Sequence, residues 1–118
     1  MKIATRNEEI TVEQSDEIAN ADALAVGKDW DTNKLVCVAA EISKTVRDDD
    51  VERAAKRASL LLKASRNVLA SHPQRFGFIF PEPPSNSLGV VMGTSITDHA
   101  NRKAEREGVL FIHCHEKD

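Results

Sequence analysis

Hydrophobic and polar positions divide this 118-residue chain into segments of two periods, near 3.6 and near 2. Thr11-Val12-Glu13-Gln14 has the spacing of a capping box, in which the Thr hydroxyl takes an orphan amide and the Gln reaches back. It predicts a short helix from about Val12 to Asn20, anchored by Ile18. Asp22 to Val26 reads as a short strand stopping at Gly27, and Asp29-Trp30-Asp31-Thr32-Asn33 as a hairpin loop dense in turn formers. Lys34 to Ile42 is apolar on both faces until Glu41, the pattern of a central strand.

Asp48-Asp49-Asp50 opens the longest helix, with three carboxylates at the positive end of the helix dipole. Val51, Ala54, Ala55, Ala58, Leu61, Leu62, Ser65, Val68 and Leu69 recur at helical spacing as a core-facing stripe, and Pro73 sets the limit. Arg75 to Phe80 is a further strand candidate, closed by Pro81, Pro83 and Pro84. Leu88 to Met92 has a buried-strand pattern closed by Gly93. Ser95 to Asp98 caps another helix running to about Glu107, with Gly108 as its stop, and Val109 to Cys114 is a final strand. The order helix, strand, strand, helix, strand, helix, strand predicts an α/β domain with a mixed central sheet flanked by helices.

Composition narrows the class. Hydrophobic residues at 41% and charged residues at 30% are globular proportions. The length suits a single domain over 1–118, with 1–10 a loosely held polar segment. The longest apolar run, Leu35 to Ala40, is far short of the ~20 residues a membrane helix needs, so no membrane partner is expected. A polar start predicts no signal peptide, and two Cys suit a reducing, cytoplasmic setting. The glycines are isolated, which excludes a Gly-rich phosphate loop.

Two clusters carry candidate chemistry. On a strand, His113 and His115 share a face and Cys114 points away, so a zinc site there needs further ligands. Asp22 and Glu41 are the more informative pair. In a hairpin both carboxylates lie at the same end of the sheet, and a charge closing an apolar run is costly unless compensated. Two such oxygen donors, with positions left for water and phosphate, suit Mg²⁺ or Mn²⁺. An ion so held activates water and neutralises phosphodiester charge. The structural alternative is that Asp22 caps a helix–strand junction while Glu41 pairs with Lys44 or Arg57.

The stretches ITVEQSDEIANADALAVG, VCVAAEISKTVRDDDVERAAKRASLLLKAS and LGVVMGTSITDHANRKAEREGVLFI together resemble a branch of the PD-(D/E)xK superfamily, the restriction endonuclease-like proteins. The resemblance runs from about residue 10 to 112 and is most specific over 41–63. It implies a restriction endonuclease-like fold and Mg²⁺-dependent hydrolysis of DNA. Asp22 and Glu41 would be metal ligands, and the Ile42 carbonyl a third. Ser43 stands where the usual motif has Lys. Lys44, or Lys56 or Arg57 on the following helix, would have to supply the missing cation, and the branch itself tends to carry Ser. The same resemblance leaves a second function open, a catalytically degenerate nuclease fold used as a nucleic-acid-binding or assembly module. A third is a zinc-binding or regulatory protein built on His113 and His115.

Charge refines the partner. The chain is −3 overall, yet seven basic residues stand against four acids between Ile42 and Ala70. Those basic residues (Lys44, Arg47, Arg53, Lys56, Arg57, Lys63, Arg66) are expected opposite the apolar stripe, available to phosphates or simply solvated. Trp30 is placed beside the two acids, either stacking on a base or covering the edge of the core. The stretch 71–87 is longer than a helix-to-strand link needs and reads as an extra strand, a dimer contact or a flap. So small a chain is expected to act on DNA as a homodimer.

Overall fold

The computed structural model describes residues 11–71 and 83–115. Thr11 caps helix α1 (Val12–Ala19): its hydroxyl accepts from the Gln14 amide and the Gln14 side chain accepts from the Thr11 amide, both at 3.0 Å. Ile18 is the residue α1 buries. Strands β1 (Ala23–Lys28) and β2 (Leu35–Ile42) form the expected antiparallel hairpin. Its loop is held by Asp29, whose Oδ1 accepts from the Asp31 amide at 2.8 Å and the Thr32 amide at 3.3 Å. Asn33 then turns the chain with a φ of 58°. Gly27 does not end β1, because it keeps its place opposite Val36 and Lys28 pairs with Leu35.

After β2 come β3 (Thr45–Val46), α2 (Asp48–Ser71), β4 (Asn86–Gly93), β5 (Ser95–Ile96), α3 (Asp98–Glu107) and β6 (Leu110–His113). The main sheet has the order β1-β2-β4-β6, with β2, β4 and β6 parallel and β1 antiparallel at the edge. The architecture is therefore α/β with a mixed central sheet flanked by helices, as the element order implies. One detail differs. Ser95 and Ile96 belong to β5, paired with β3, and the cap of α3 is Thr97, whose hydroxyl accepts from the Ala100 amide at 3.1 Å. Two-residue strands have no period to read, so these escaped the sequence pattern. The segment 1–10, the Arg75–Phe80 strand and most of 71–87 lie outside the described residues. Among the described residues no helix is long and apolar enough to cross a membrane.

Cys37, Ala39 and Glu41 of β2 and Gly89 and Val91 of β4 face α2. The core gathers Val46, Val51, Ala54, Val91, Ala100, Ala104 and Val109, so α2 and α3 share it. Small residues let the helix lie close to the strands: a Cβ on Gly89 would stand 2.8 Å from the Ala54 carbonyl oxygen. A Cβ on Gly93 would fall on the Ser43 carbonyl oxygen, which ties the end of β4 to the segment following β2. Gly93→Ala is therefore expected to lower the unfolding free energy by about 1–3 kcal/mol in urea titration. Gly27→Ala, where the added carbon meets nothing, should stay within about 0.5 kcal/mol of the parent.

Candidate functional site

The carboxyl ends of parallel strands in an open α/β sheet are where ligands commonly bind. Here that edge holds Glu41 and Ile42 on β2. Asp22 immediately precedes β1 and, because Ala23 pairs with Ala40, it lies across from Glu41. The hairpin thus brings the two predicted acids to one end of the sheet. Asp22 Oδ2 accepts from the Ile42 amide at 2.7 Å, prolonging the ladder by one side-chain bond.

Glu41 is 4% exposed, and α2 supplies what compensates it. Arg57 Nη1 donates to Glu41 Oε1 at 2.8 Å, and Arg53 Nε approaches the same oxygen at 3.4 Å. Glu41 Oε2 is buried and has no hydrogen-bond partner among the described residues. Arg57 is itself buried and joins α1 and its C-cap to β2. Its Nε and Nη2 donate to Glu17 Oε2 on α1 at 3.0 and 2.7 Å, and Nη1 also donates to the Asn20 carbonyl at 3.1 Å. Lys56 closes the other side of Glu17 at 3.0 Å.

Ser43 is taken up by Asp50. The Ser43 hydroxyl donates to Asp50 Oδ1 at 3.1 Å, the Arg47 amide to Asp50 Oδ2 at 2.9 Å, and Arg53 Nη2 to Asp50 Oδ1. Glu17, Glu41 and Asp50 are thereby balanced by Arg53, Lys56 and Arg57, while Asp22 makes no ion pair among the described residues. Hydrogen bonds from Arg57 and then Lys56 hold the Glu17 carboxyl below its ordinary range. Burial alone would pull the Arg57 guanidinium down, and the bonds and charges of Glu17 and Glu41 more than reverse it.

No protein-family model and no curated protein matches this chain. Among solved structures it is similar in outline to the apo form of EndoMS. That match has 16% identity and a TM-score of 0.46, and covers 80% of this chain. The chain spans about a third of the length of the EndoMS chain, 33%.

Of the residues singled out in the sequence, Asp22, Glu41, Ile42, Ser43 and Arg57 meet at this end of the sheet. Lys44 is exposed and makes no ion pair among the described residues; it joins the structure through its carbonyl, which accepts from the Thr94 amide and hydroxyl, each at 2.9 Å. Glu17, Asp50 and Arg53 were not singled out as site residues, although Arg53 and Arg57 stand one turn apart on one helix face. The basic residues of α2 do not share a solvated face. Arg57 is buried, Arg53 turns to the two acids, and Arg66 donates to the Pro84 and Ser85 carbonyls at 3.0 and 3.1 Å.

Trp30 is also not where the sequence placed it. It lies on the hairpin loop at the opposite end of β1 from Asp22, and it is 100% exposed, so it covers no core edge either. His113 and His115 stack edge to face at 4.7 Å, and His113 Nε2 donates to the Thr94 carbonyl at 2.9 Å. Among the described residues no group of three or more His, Cys, Asp or Glu side chains is placed to hold a metal ion.

Removing Arg57 leaves the Glu41 charge buried with only the long contact to Arg53. Arg57→Ala is expected to cost about 3–5 kcal/mol in denaturant unfolding; Arg57→Lys should cost less because the charge is kept, but not nothing, since a lysine lacks the fork that serves all three acceptors. Acid should act through Glu17. Its lowered value means that its contribution is present above the ordinary glutamate range and is lost as pH falls through the lowered one. Amide exchange in α1 should therefore accelerate at that lower pH, and Glu17→Gln should flatten the dependence.

Proposed function

We propose that the Asp22–Glu41 end of the sheet binds a divalent cation and hydrolyses DNA phosphodiester bonds, in a restriction endonuclease-like fold. The observation that carries this reading is Glu41 Oε2, a buried carboxylate oxygen left without a partner beside a second acid. Burying such an atom unsatisfied is costly, and an oxygen-seeking cation relieves that cost. Asp22, outside the balanced cluster, contributes the remaining negative charge, and the Ile42 carbonyl a neutral donor. The residues thus fit Mg²⁺ or Mn²⁺ in donor type, with water and a phosphate oxygen completing the set. Such an ion, when bound, lowers the pKa of a water and offsets phosphate charge.

The protein's own groups divide the remaining work. Arg57, its donors committed to Glu17, Asn20 and Glu41, fixes the Glu41 carboxylate and does not reach substrate. Arg53, with a side chain 42% exposed, is the cation able to turn toward a phosphate oxygen in place of the motif lysine. Ser43, donating to Asp50, holds that acid and hence Arg53. The net charge of −3 limits sequence-independent attraction to DNA, so binding rests on this local site rather than on a basic surface.

A second reading is a degenerate nuclease fold that binds without cleaving. It is favoured by one observation: Glu41 Oε1 already carries two guanidiniums, and no lysine follows at position 43. Plasmid nicking separates the two. With Mg²⁺ or Mn²⁺ the wild type is expected to convert supercoiled DNA to open circle, and Glu41→Gln or Asp22→Asn to lose this at least a hundredfold. Arg53→Ala should slow cleavage roughly tenfold to a hundredfold with folding intact. Equal background nicking by wild type and Glu41→Gln, alongside retained DNA binding, would establish the second reading instead.

A further inference from the structure

Strand β1 is an edge of the main sheet, and all six of its residues are exposed. It carries no proline and no charge before Lys28, so its outer row of amides and carbonyls lacks the usual protection against pairing. Leu24 and Val26 lie opposite Ala39 and Cys37, and therefore on the face toward α2, yet they remain 47% and 38% exposed. Lys28 and Asp22 close the two ends of the same face. Among the described residues neither makes an ion pair, and Asp22 Oδ1 accepts nothing.

Symmetry restricts how two such edges can meet. In an antiparallel pair related by a two-fold axis through the sheet, one residue must stand opposite its own copy. Centring on Leu24 sets Asp22 against an apolar residue, and centring on Val26 does the same to Lys28. Centring on Ala25 sets Leu24 against the partner's Val26 and Lys28 against the partner's Asp22, each twice. Charge and apolar positions are complementary in that register alone.

The structure assigns β1 as the surface on which a second copy of this chain docks, centred on Ala25, so that each copy delivers Lys28 to the other's Asp22. Asp22 and Glu41 are neighbours across the hairpin, so this ammonium arrives at the site where position 43 is Ser. On the proposed function, which this last step rests on, the site is completed in trans. An isolated strand pair buries little area, so the dimer is weak and concentration-dependent.

Cysteine cross-linking tests the pairing without reference to cleavage. Directly opposed Cβ atoms stand about 4.5–5.5 Å apart, within reach of a disulfide after small adjustment. Under mild oxidation Ala25→Cys should give a covalent dimer in high yield. Ala23→Cys and Gly27→Cys should not do so singly, but should cross-link to each other when mixed. Wild type, with Cys37 buried and Cys114 partly so, is the baseline. Lys28→Glu should weaken the dimer roughly tenfold in sedimentation equilibrium. Cross-linking of Ala25→Cys at the wild-type level, or equal cross-linking at all three positions, overturns the docking.

The trans site is read by mixing. Lys28→Ala and Glu41→Gln chains, each inactive alone, should together recover about one quarter of wild-type cleavage, because one site in each mixed dimer is whole. No recovery, with wild type active, overturns the delivery of Lys28. If wild type itself does not cleave, the cross-linking pattern still decides the docking, so the two failures stay distinct.

Discussion

Arg57 is the constraint on which this end of the molecule depends. A guanidinium placed on the inner side of α2 allows a glutamate to sit at the end of an otherwise apolar central strand. The same group ties down Glu17 and the Asn20 carbonyl, and so fixes the segment that leads directly into Asp22. One side chain therefore sets the helix α1, the hairpin and the long helix in a common frame. Its planar fork, with several donors in fixed directions, suits that task as a lysine would not. The cost is that its positive charge is spent inside the protein.

That expenditure shapes the chemistry. With the cluster around Glu41 and Asp50 internally balanced, what remains for a ligand is one orphaned oxygen on Glu41, the carboxylate of Asp22 and the exposed flank of Arg53. Two carboxylate oxygens call for a cation and a guanidinium for an anion, which is the basis on which a hydrated divalent ion with a phosphodiester is proposed. Ser43 and Arg53 share one acceptor, Asp50 at the helix start, and under the proposed function this places a helix cation beside the two acids.

Much of the fold was legible because it rests on local rules. The capping box at Thr11, the Asx-held turn at Asp29 and the acidic start of α2 each follow from side chains acting on the nearest backbone amides. The Asp22–Glu41 juxtaposition was legible too, since a hairpin forces residues flanking its strands together. Non-local facts were less accessible. The periodicity of α2 counts Arg57 as polar and therefore outward, whereas a buried carboxylate on another strand draws it in. Trp30 follows Asp22 by only eight residues, yet an extended strand of six residues carries it to the far end of the hairpin. The two-residue strands β3 and β5 pair across fifty residues of sequence, too far apart for a local pattern to show.

The proposed cation site at Glu41 Oε2 and Asp22 can be measured without any nucleic acid. Mn²⁺ titration followed by electron paramagnetic resonance counts the bound ions per chain directly. One competable ion per chain in the wild type, displaced by Mg²⁺ and abolished in Glu41→Gln with the fold intact, is the predicted result. No bound ion in the wild type, or the same binding in Glu41→Gln, would rule out a cation site on these two acids.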